Sequence, residues 1–290
     1  MLIFSLPVSP CVIGLLDLVA AQVVDWLETA RKPLVLGVCG AQGSGKSTLS
    51  EGLEARLKAR GLTVALLSLD DLYLAREARP VDISALFATR GVPGTHDVAL
   101  GERTFKGLLS GQPTRLPRFD KATDSPVPEE EWPEITAPDI IIFEGWCVGA
   151  RPQADEDLAT PVNDLERNDN GVWRSVVNEA LKGAYATLFG HIDKLVLLAA
   201  PGFAIVRDWR IEQENSLRRR LQAEGRTGTH LMSDEAVGRF IQSYERLTCH
   251  ILRTMPAYAD LTLQLDAARH MTSATTPVPA PVSASASRFQ

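Results

Sequence analysis

Four runs of apolar residues stand out along the chain, and each has the length of a buried strand. They are PLVLGVCG at 33–40, TVALLSLDDLYL at 63–74, PDIIIFEGW at 138–146 and DKLVLLAAP at 193–201. Apolar and polar positions do not alternate within these runs, which is the pattern of strands covered on both faces. The runs therefore predict the strands of a parallel sheet.

Helical patterns lie between these runs. In the segment from Lys46 to Arg60, the residues Leu49, Leu53 and Leu57 fall on one side of a helix. Buried strands that alternate with helices are typical of α/β folds in which helices cover both faces of the sheet. We expect a three-layer α/β/α architecture.

The N-terminal residues 1–33 are apolar enough to raise the question of a membrane helix. Pro7, Pro10 and Asp17 interrupt the run, however, and a membrane helix needs about 18 or more apolar residues. We expect instead a helix from about residue 13 to residue 30 that lies on the folded body.

The C-terminal residues 269–290 consist mainly of Ser, Thr, Ala and Pro. Such a segment buries too little apolar surface to offset the entropy of ordering the chain, so it predicts a disordered tail. Residues 34–268 are then expected to form one domain.

The charge of the chain argues against nucleic acid as a partner. The formal net charge is -6, and acidic and basic residues are interspersed, without the basic patch that duplex binding needs. The cysteines lie far apart and form no metal-binding cluster, which fits the reducing cytoplasm. They are Cys11, Cys39, Cys147 and Cys249. We expect no membrane partner, and the sequence does not indicate an oligomeric state.

The residues after the first run match the pattern GxxxxGK[ST] in full. The match covers Gly40, Ala41, Gln42, Gly43, Ser44, Gly45, Lys46 and Ser47, and Thr48 follows it. Glycines let successive backbone N–H groups turn toward an anion, and the next helix adds the positive end of its dipole. Lys46 supplies a charge for the outer phosphates and Ser47 a hydroxyl for Mg²⁺. The stretch predicts a P-loop NTPase-type sheet that binds a nucleoside triphosphate; a glycine-rich turn without a ligand is the alternative.

Two aspartates follow the second run, at the edge where open parallel sheets bind their ligands. A carboxylate there can accept the proton of a hydroxyl that attacks the γ-phosphate. We assign the role of base to Asp70, with Asp71 as the second candidate. The alternative is that Asp70 caps the next helix.

Glu144 ends the third run after four apolar residues. An acidic residue in this place is typical of a carboxylate that reaches Mg²⁺ directly or through a water molecule. A solvated glutamate is the alternative.

The motifs GAQGSGKST, LDDLYL, RGVPGTHD, PRFDK and FEGWCVG, in this order, resemble those of the D-glycerate 3-kinase family, a branch of the phosphoribulokinase, uridine kinase and pantothenate kinase group of P-loop kinases. The resemblance spans about residues 34–265. It implies that Asp70 is the catalytic base and that Tyr73 lies close to the substrate. It also implies that the segment VRDWRIEQENSLR, with Trp209 and Arg210, lies near a lid.

Two of these motifs carry charged residues for an acceptor. The residues are Arg90, His96, Asp97, Arg118, Asp120 and Lys121. Arginine binds a carboxylate through two parallel hydrogen bonds, so Arg90 and Arg118 are expected to hold the acid group of a hydroxy acid such as glycerate. Asp97 or Asp120 would then bind its hydroxyls. In the alternative interpretation, Arg118 and Asp120 form a surface ion pair and His96 makes a turn contact. The acidic segment after PRFDK would repel an anionic acceptor if it faced the pocket.

Residues 207–226 are rich in arginine. A helix of this kind can fold over a bound triphosphate and stabilise the charge on the moving phosphoryl group. We favour Arg207 and Arg210, because they follow the fourth apolar run most closely, and expect a lid at about 207–230.

The sequence thus predicts a cytoplasmic, ATP-dependent and Mg²⁺-dependent kinase that phosphorylates a hydroxyl of D-glycerate or a similar small metabolite. A regulatory GTPase is disfavoured, because no NKxD-type tetrapeptide for reading guanine occurs in the chain. A pantothenate or nucleoside kinase is the runner-up, and a P-loop protein that binds ATP only as a switch stays open.

Overall fold

The computed structural model describes residues 4–5, 14–30, 32–223 and 232–277. The strands are β1 (Phe4–Ser5), β2 (Leu34–Gly40), β3 (Val64–Ser68), β4 (Thr114–Arg115), β5 (Phe119–Asp120), β6 (Ser125–Pro126), β7 (Glu134–Ile135), β8 (Ile140–Gly145), β9 (Lys194–Ala199), β10 (Leu261–Leu265) and β11 (Met271–Thr276). The α-helices are α1 (Leu15–Thr29), α2 (Lys46–Ala59), α3 (Val98–Leu109), α4 (Asp164–Asn168), α5 (Val172–Lys182), α6 (Ala184–Phe189), α7 (Phe203–Ala223) and α8 (Asp234–Thr254).

A seven-stranded sheet with the order β1-β11-β10-β9-β2-β8-β3 forms the centre of the molecule. The strands from β10 to β3 in this order are parallel, whereas β11 and β1 are added antiparallel at one edge. The four apolar runs correspond to β2, β3, β8 and β9, each with most or all of its residues buried. The predicted three-layer α/β/α architecture is confirmed.

Apolar side chains join the helices to the sheet. The buried residues Leu49, Leu53 and Leu57 belong to α2, which packs on β2, β8 and β3. The ring of Phe143 on β8 lies 5.2 Å from that of Phe105 on α3, between ring centroids. These contacts hold α2 and α3 against the sheet.

The N-terminal helix α1 lies on α2, with Val19 and Val23 fully buried. An ion pair between Arg56 and Asp17 adds to this contact at the surface. Within the described residues, the structure contains no helix with both the length and the apolar character needed to cross a bilayer.

The prediction of a disordered tail from residue 269 is wrong over β11. These residues pair with β10, where Ala274 lies opposite Leu263 and is buried. Backbone hydrogen bonds to an existing sheet edge supply the stabilisation that the side chains of this segment lack. Residues 278–290 lie outside the described residues. The two residues of β1 pair with β11, so the sheet also extends beyond the predicted boundary at residue 34.

The parallel strands bring their carboxyl ends to one edge of the sheet. Gly40 ends β2, Ser68 ends β3 and Gly145 ends β8, and Ser68 lies directly opposite Glu144 in the register. In open α/β sheets this edge is the place where ligands bind.

Candidate active site

The phosphate loop turns at two glycines with left-handed backbone. The φ angles are 78° at Gly43 and 90° at Gly45, a region that residues with a Cβ rarely adopt. Gly45 is the N-cap of α2. The first helical residues, which include Lys46 and Ser47, therefore present N–H groups without an acceptor within the helix. This arrangement is suited to an anion.

Neighbouring elements hold the loop from outside. A Cβ at Gly43 would lie 2.6 Å from the Cβ of Trp209 on α7, so only glycine fits there. Arg269, in the turn between β10 and β11, donates from Nε to the carbonyl oxygen of Gly43 over 2.6 Å. Its Nη2 also donates to Glu212 of α7 over 2.6 Å. The loop is thus clamped between α7 and the C-terminal hairpin.

Asp70 lies in a 3-10 helical turn, Leu69–Leu72, immediately after β3. The cap of this turn is Ser68, whose Oγ accepts from the backbone N–H of Asp70 over 3.2 Å. The carboxylate of Asp70 is therefore free of the capping role. Its Oδ1 accepts from the hydroxyl of Tyr73 over 2.8 Å, and its Oδ2 accepts from Nζ of Lys121 over 2.6 Å.

Opposing effects act on the pKa of Asp70. Burial raises it. The charges of Lys121 and Lys46 and the hydrogen bonds from Lys121 and Tyr73 lower it by a larger amount, so the pKa falls from 3.8 to about 2. For Tyr73, burial is the largest cause and raises the pKa well above 10. Asp70 is thus an ionised carboxylate, and Tyr73 is a neutral donor to it.

A carboxylate and a hydroxyl, those of Glu144 and Ser47, lie side by side next to the phosphate loop. Glu144 is buried, and its Oε1 accepts from Ser68 over 2.7 Å and from Ser47 over 3.4 Å. Its Oε2 is buried without a hydrogen-bond partner among the described residues. A buried, unpaired carboxylate oxygen beside a hydroxyl fits the oxygen donors that Mg²⁺ prefers.

Lys46, Ser47 and Asp70 line one cavity of about 510 Å³. The other lining residues are Gln42, Gly43, Tyr73, Arg79, Ala88, Thr89, Arg90, Lys121, Asp124, Trp146, Arg210, Gln213, Met232, Phe240 and Tyr244. One side of the cavity is therefore the phosphate loop, and another carries several cations.

Asp124 joins two arginines on the cationic side. Arg79, nearly inaccessible to solvent, donates to both carboxylate oxygens of Asp124 over 2.6 and 3.0 Å, and Arg90 donates to it as well. Burial raises the pKa of Asp124, but these hydrogen bonds outweigh it, and the pKa lies below 3.8. The trio carries one surplus positive charge that faces the cavity.

His96 and Asp97 do not line this cavity, contrary to the prediction. His96 is buried and its ring stacks on Tyr73 with 4.6 Å between centroids, while Nδ1 lies 2.5 Å from the hydroxyl of Tyr185. Asp97 caps α3 by accepting from the N–H of Leu100. Both side chains support Tyr73 and α3 from behind the site.

Asp71, Arg118 and Asp120 also fall outside the cavity. Asp71 accepts from the backbone N–H of Phe119 over 3.2 Å and from Arg118 over 3.4 Å. Asp120 accepts from the N–H of Ala122 and from the hydroxyl of Thr123. These residues shape the hairpin of β5 and β6, from which only Lys121 of the predicted PRFDK group reaches the site.

Of the two favoured arginines, Arg210 lines the cavity and Arg207 does not. Arg210 pairs with Glu214 over 2.9 Å. Arg207 is exposed and lines a separate groove together with Gly238 and Gln242 of α8. Part of the predicted lid, residues 224–230, lies outside the described residues.

Sequence reasoning missed several residues of the cavity. Arg79 and Asp124 belong to no motif that the sequence analysis recognised. Tyr244 and Phe240 come from α8, far along the chain. The acidic residues Glu129–Glu131 are exposed and do not line the cavity, so their charge does not oppose an anion there.

The chain is similar in sequence to several known proteins. A sequence family described as methylmalonyl Co-A mutase-associated GTPase MeaB matches residues 19–72, the part of the chain that contains the phosphate loop. The uncharacterized kinase mug58 of Schizosaccharomyces pombe is 32% identical over 252 residues, which cover 79% of this chain and 86% of that protein.

Two D-glycerate 3-kinases are similar to the chain. The chloroplastic enzyme of Arabidopsis thaliana is 30% identical over 226 residues, which cover 73% of this chain and 46% of that protein. The solved structure of D-glycerate 3-kinase from Cryptococcus neoformans var. grubii matches with a TM-score of 0.73 and 27% identity, over 91% of this chain and 99% of the other.

Proposed function

This chain belongs to the D-glycerate 3-kinase family of P-loop kinases, and from that membership we propose that it is an ATP-dependent kinase whose acceptor is D-glycerate or a similar small hydroxy acid. One observation carries the proposal. The phosphate-loop Lys46, the carboxylate of Asp70 and the cations Arg90 and Lys121 line the same cavity. Residues suited to bind a phosphoryl donor, to accept a proton and to bind a carboxylate thus line one cavity.

The proposed reaction is an in-line transfer. The hydroxyl oxygen of the acceptor attacks the γ-phosphorus, its proton passes to the carboxylate of Asp70, and the bond from the γ-phosphorus to the bridging oxygen of ADP breaks. Tyr73 orients Asp70 through its hydrogen bond. Lys46 and Arg210 neutralise the charge on the phosphoryl group during transfer.

We propose Ser47 and Glu144 as the residues that hold magnesium. The unpaired Oε2 of Glu144 and the neighbouring hydroxyl of Ser47 support this assignment. Magnesium held there would neutralise part of the charge on the triphosphate during transfer.

A carboxylate-bearing acceptor is favoured by the surplus charge on the cationic side. Arg90 and Lys121 both line the cavity, and the only other anion among its described lining residues besides Asp70 is Asp124, which two arginines neutralise. A cytoplasmic location remains part of the proposal. It is supported by Cys39 and Cys147, which are buried as free thiols.

A nucleoside or pantothenate kinase is the second candidate, because the aromatic rings of Phe240 and Tyr244 also line the cavity. A panel of D-glycerate, pantothenate, uridine and ribulose 5-phosphate, tested by coupled ADP release, separates these functions. We expect the highest kcat/KM with D-glycerate. Turnover with uridine or pantothenate but not with D-glycerate would contradict the proposal.

A further inference from the structure

The ammonium group of Lys121 forms a hydrogen bond with the carboxylate of Asp70, the proposed base. Its Nζ donates to Oδ2 of Asp70 over 2.6 Å, while Tyr73 donates to Oδ1 over 2.8 Å. Both oxygens of Asp70 are therefore hydrogen-bonded before an acceptor binds. A cation next to a carboxylate stabilises its ionised form, so the carboxylate becomes a poorer proton acceptor.

The contact between Lys121 and Asp70 is easily opened. The side chain of Lys121 is 57% exposed and that of Asp70 is 28% exposed. Ion pairs at such partly exposed sites are weak, because solvent screens the attraction between the charges. The lysine stem is flexible, so its ammonium group can move while the backbone stays in place.

The backbone of Lys121 is held by its surroundings. Asp120 accepts from the N–H of Ala122 and from the hydroxyl of Thr123, which closes the turn between β5 and β6. Arg90 donates to the carbonyl oxygen of Lys121 over 3.4 Å. Lys121 can thus exchange its partner without unfolding the hairpin.

No other carboxylate of the described cavity lining competes for Lys121, because Asp124 is bound by Arg79 and Arg90. A bound hydroxy acid would bring a new carboxylate into the same cavity. It would meet the surplus charge of Arg90 and the ammonium group of Lys121 together. The lysine then has a second anion within the reach of its side chain.

We propose that Lys121 couples recognition of the acceptor's carboxylate to the freeing of the base. In the absence of acceptor it neutralises Asp70, and when a hydroxy acid binds it moves to the acid group. Asp70 then accepts the proton of the attacking hydroxyl, while the bond between the γ-phosphorus and the bridging oxygen breaks and ADP leaves. This inference rests on the proposed kinase function.

The coupling has two consequences. A water molecule carries no charge that would attract Lys121 away from Asp70. Asp70 therefore stays a poor proton acceptor for water, and hydrolysis of ATP without an acceptor is slow. Glycerol has hydroxyls like those of D-glycerate but a neutral CH₂OH group in place of the acid, so it is a poor acceptor. The preference for an acid thus arises from the release of Asp70 as well as from binding of the acid group by Arg90.

Lys121→Met tests both consequences, because methionine keeps much of the stem and removes the charge. We expect ATP hydrolysis without acceptor to rise by about tenfold, as for a base released from a neighbouring cation. The preference for D-glycerate over glycerol in kcat/KM should fall by about tenfold or more, as for the loss of a charged hydrogen bond. Lys121→Gln serves as a second uncharged variant.

Two control variants test whether the effects of Lys121→Met come from the contact between Lys121 and Asp70. Lys58→Met removes an exposed lysine that pairs with Glu54 on α2, and should change neither quantity. Adding Asp70→Asn to Lys121→Met should abolish the gain in hydrolysis, because the gain requires the released carboxylate.

Either effect of Lys121→Met without the other overturns the coupling, as does the absence of both. A loss of acid preference alone would make Lys121 a simple carboxylate ligand. If the wild-type chain phosphorylates no hydroxy acid, the proposed acceptor fails, and the hydrolysis measurement alone then decides whether Lys121 restrains Asp70.

Discussion

His96 is a buried imidazole behind the proposed base, and its burial makes the stability of the fold depend on pH. Burial lowers the pKa of His96 from 6.5 to about 3, although the charge of Asp70 acts in the opposite direction. The unfolded chain binds a proton at this site near pH 6.5, whereas the folded chain does not. The free energy of unfolding therefore decreases as the pH falls from about 6.5 toward 3.

We expect His96→Gln to weaken this dependence. The wild-type curve of unfolding free energy against pH should be steeper than that of His96→Gln, by up to about 1.4 kcal/mol per pH unit for one proton. Urea unfolding at stepped pH values measures the difference. His270→Gln, at a side chain that is 80% exposed, is the control. Parallel curves for wild type and His96→Gln would contradict the assignment.

The residues of the phosphate loop could be predicted because their spacing alone determines the local geometry. Asp70 could be placed because it closely follows the end of a strand, and parallel strands end at the same edge of the sheet. Arg207 and Arg210 could not be separated, since the rotation of α7 against α8 decides which of them reaches the cavity. Asp97 was predicted to bind substrate because of its charge, but its carboxylate caps the N-terminus of α3 instead. Capping is a common role of aspartate that competes with ligand binding.

At the scale of elements, the hairpin of β10 and β11 supports the phosphate loop. Arg269 has a φ of 67°, an uncommon backbone angle for a residue with a side chain, and its guanidinium lies 5.2 Å from the ring centre of Trp209. Trp209 in turn donates from Nε1 to the carbonyl oxygen of Ala267 over 2.8 Å. The hairpin and α7 thus hold Gly43 between them.

We expect Arg269→Ala to weaken ATP binding. It removes the hydrogen bond to the carbonyl of Gly43, and a charged hydrogen bond contributes about 1.5 to 3 kcal/mol, so the Kd for ATP should rise by about tenfold or more. Isothermal titration calorimetry measures the Kd. Arg103→Ala, on the exposed side of α3, is the control. A lower Tm with unchanged ATP affinity would show that Arg269 serves the fold alone.

The same hairpin shows where composition misleads. The segment MTSATT has few large apolar residues, and alone it would not order. In the fold it needs only to cover the edge of a sheet that already exists, with Ala274 turned inward. A tertiary contact of this kind leaves no local signal in the sequence.

At the scale of the whole molecule, the charge is divided unevenly. The chain carries a net charge of -6, yet the cavity gathers Lys46, Arg79, Arg90, Lys121 and Arg210 against few acids. This contrast suits two anionic ligands that must meet in one site. The parallel sheet could be predicted from four apolar runs, but residues from α7, α8 and the β5–β6 hairpin meet at its edge only through tertiary packing.

The central claim is that Asp70 accepts the acceptor's proton beside a phosphate loop that binds ATP. Its most direct test is the turnover of Asp70→Asn at saturating ATP and acceptor, with Asp71→Asn, whose side chain lies outside the cavity, for comparison. We predict that Asp70→Asn lowers kcat by about 100-fold to 10,000-fold, the range for loss of a general base, while ATP still binds with similar Kd. Turnover close to that of the wild type would contradict the claim.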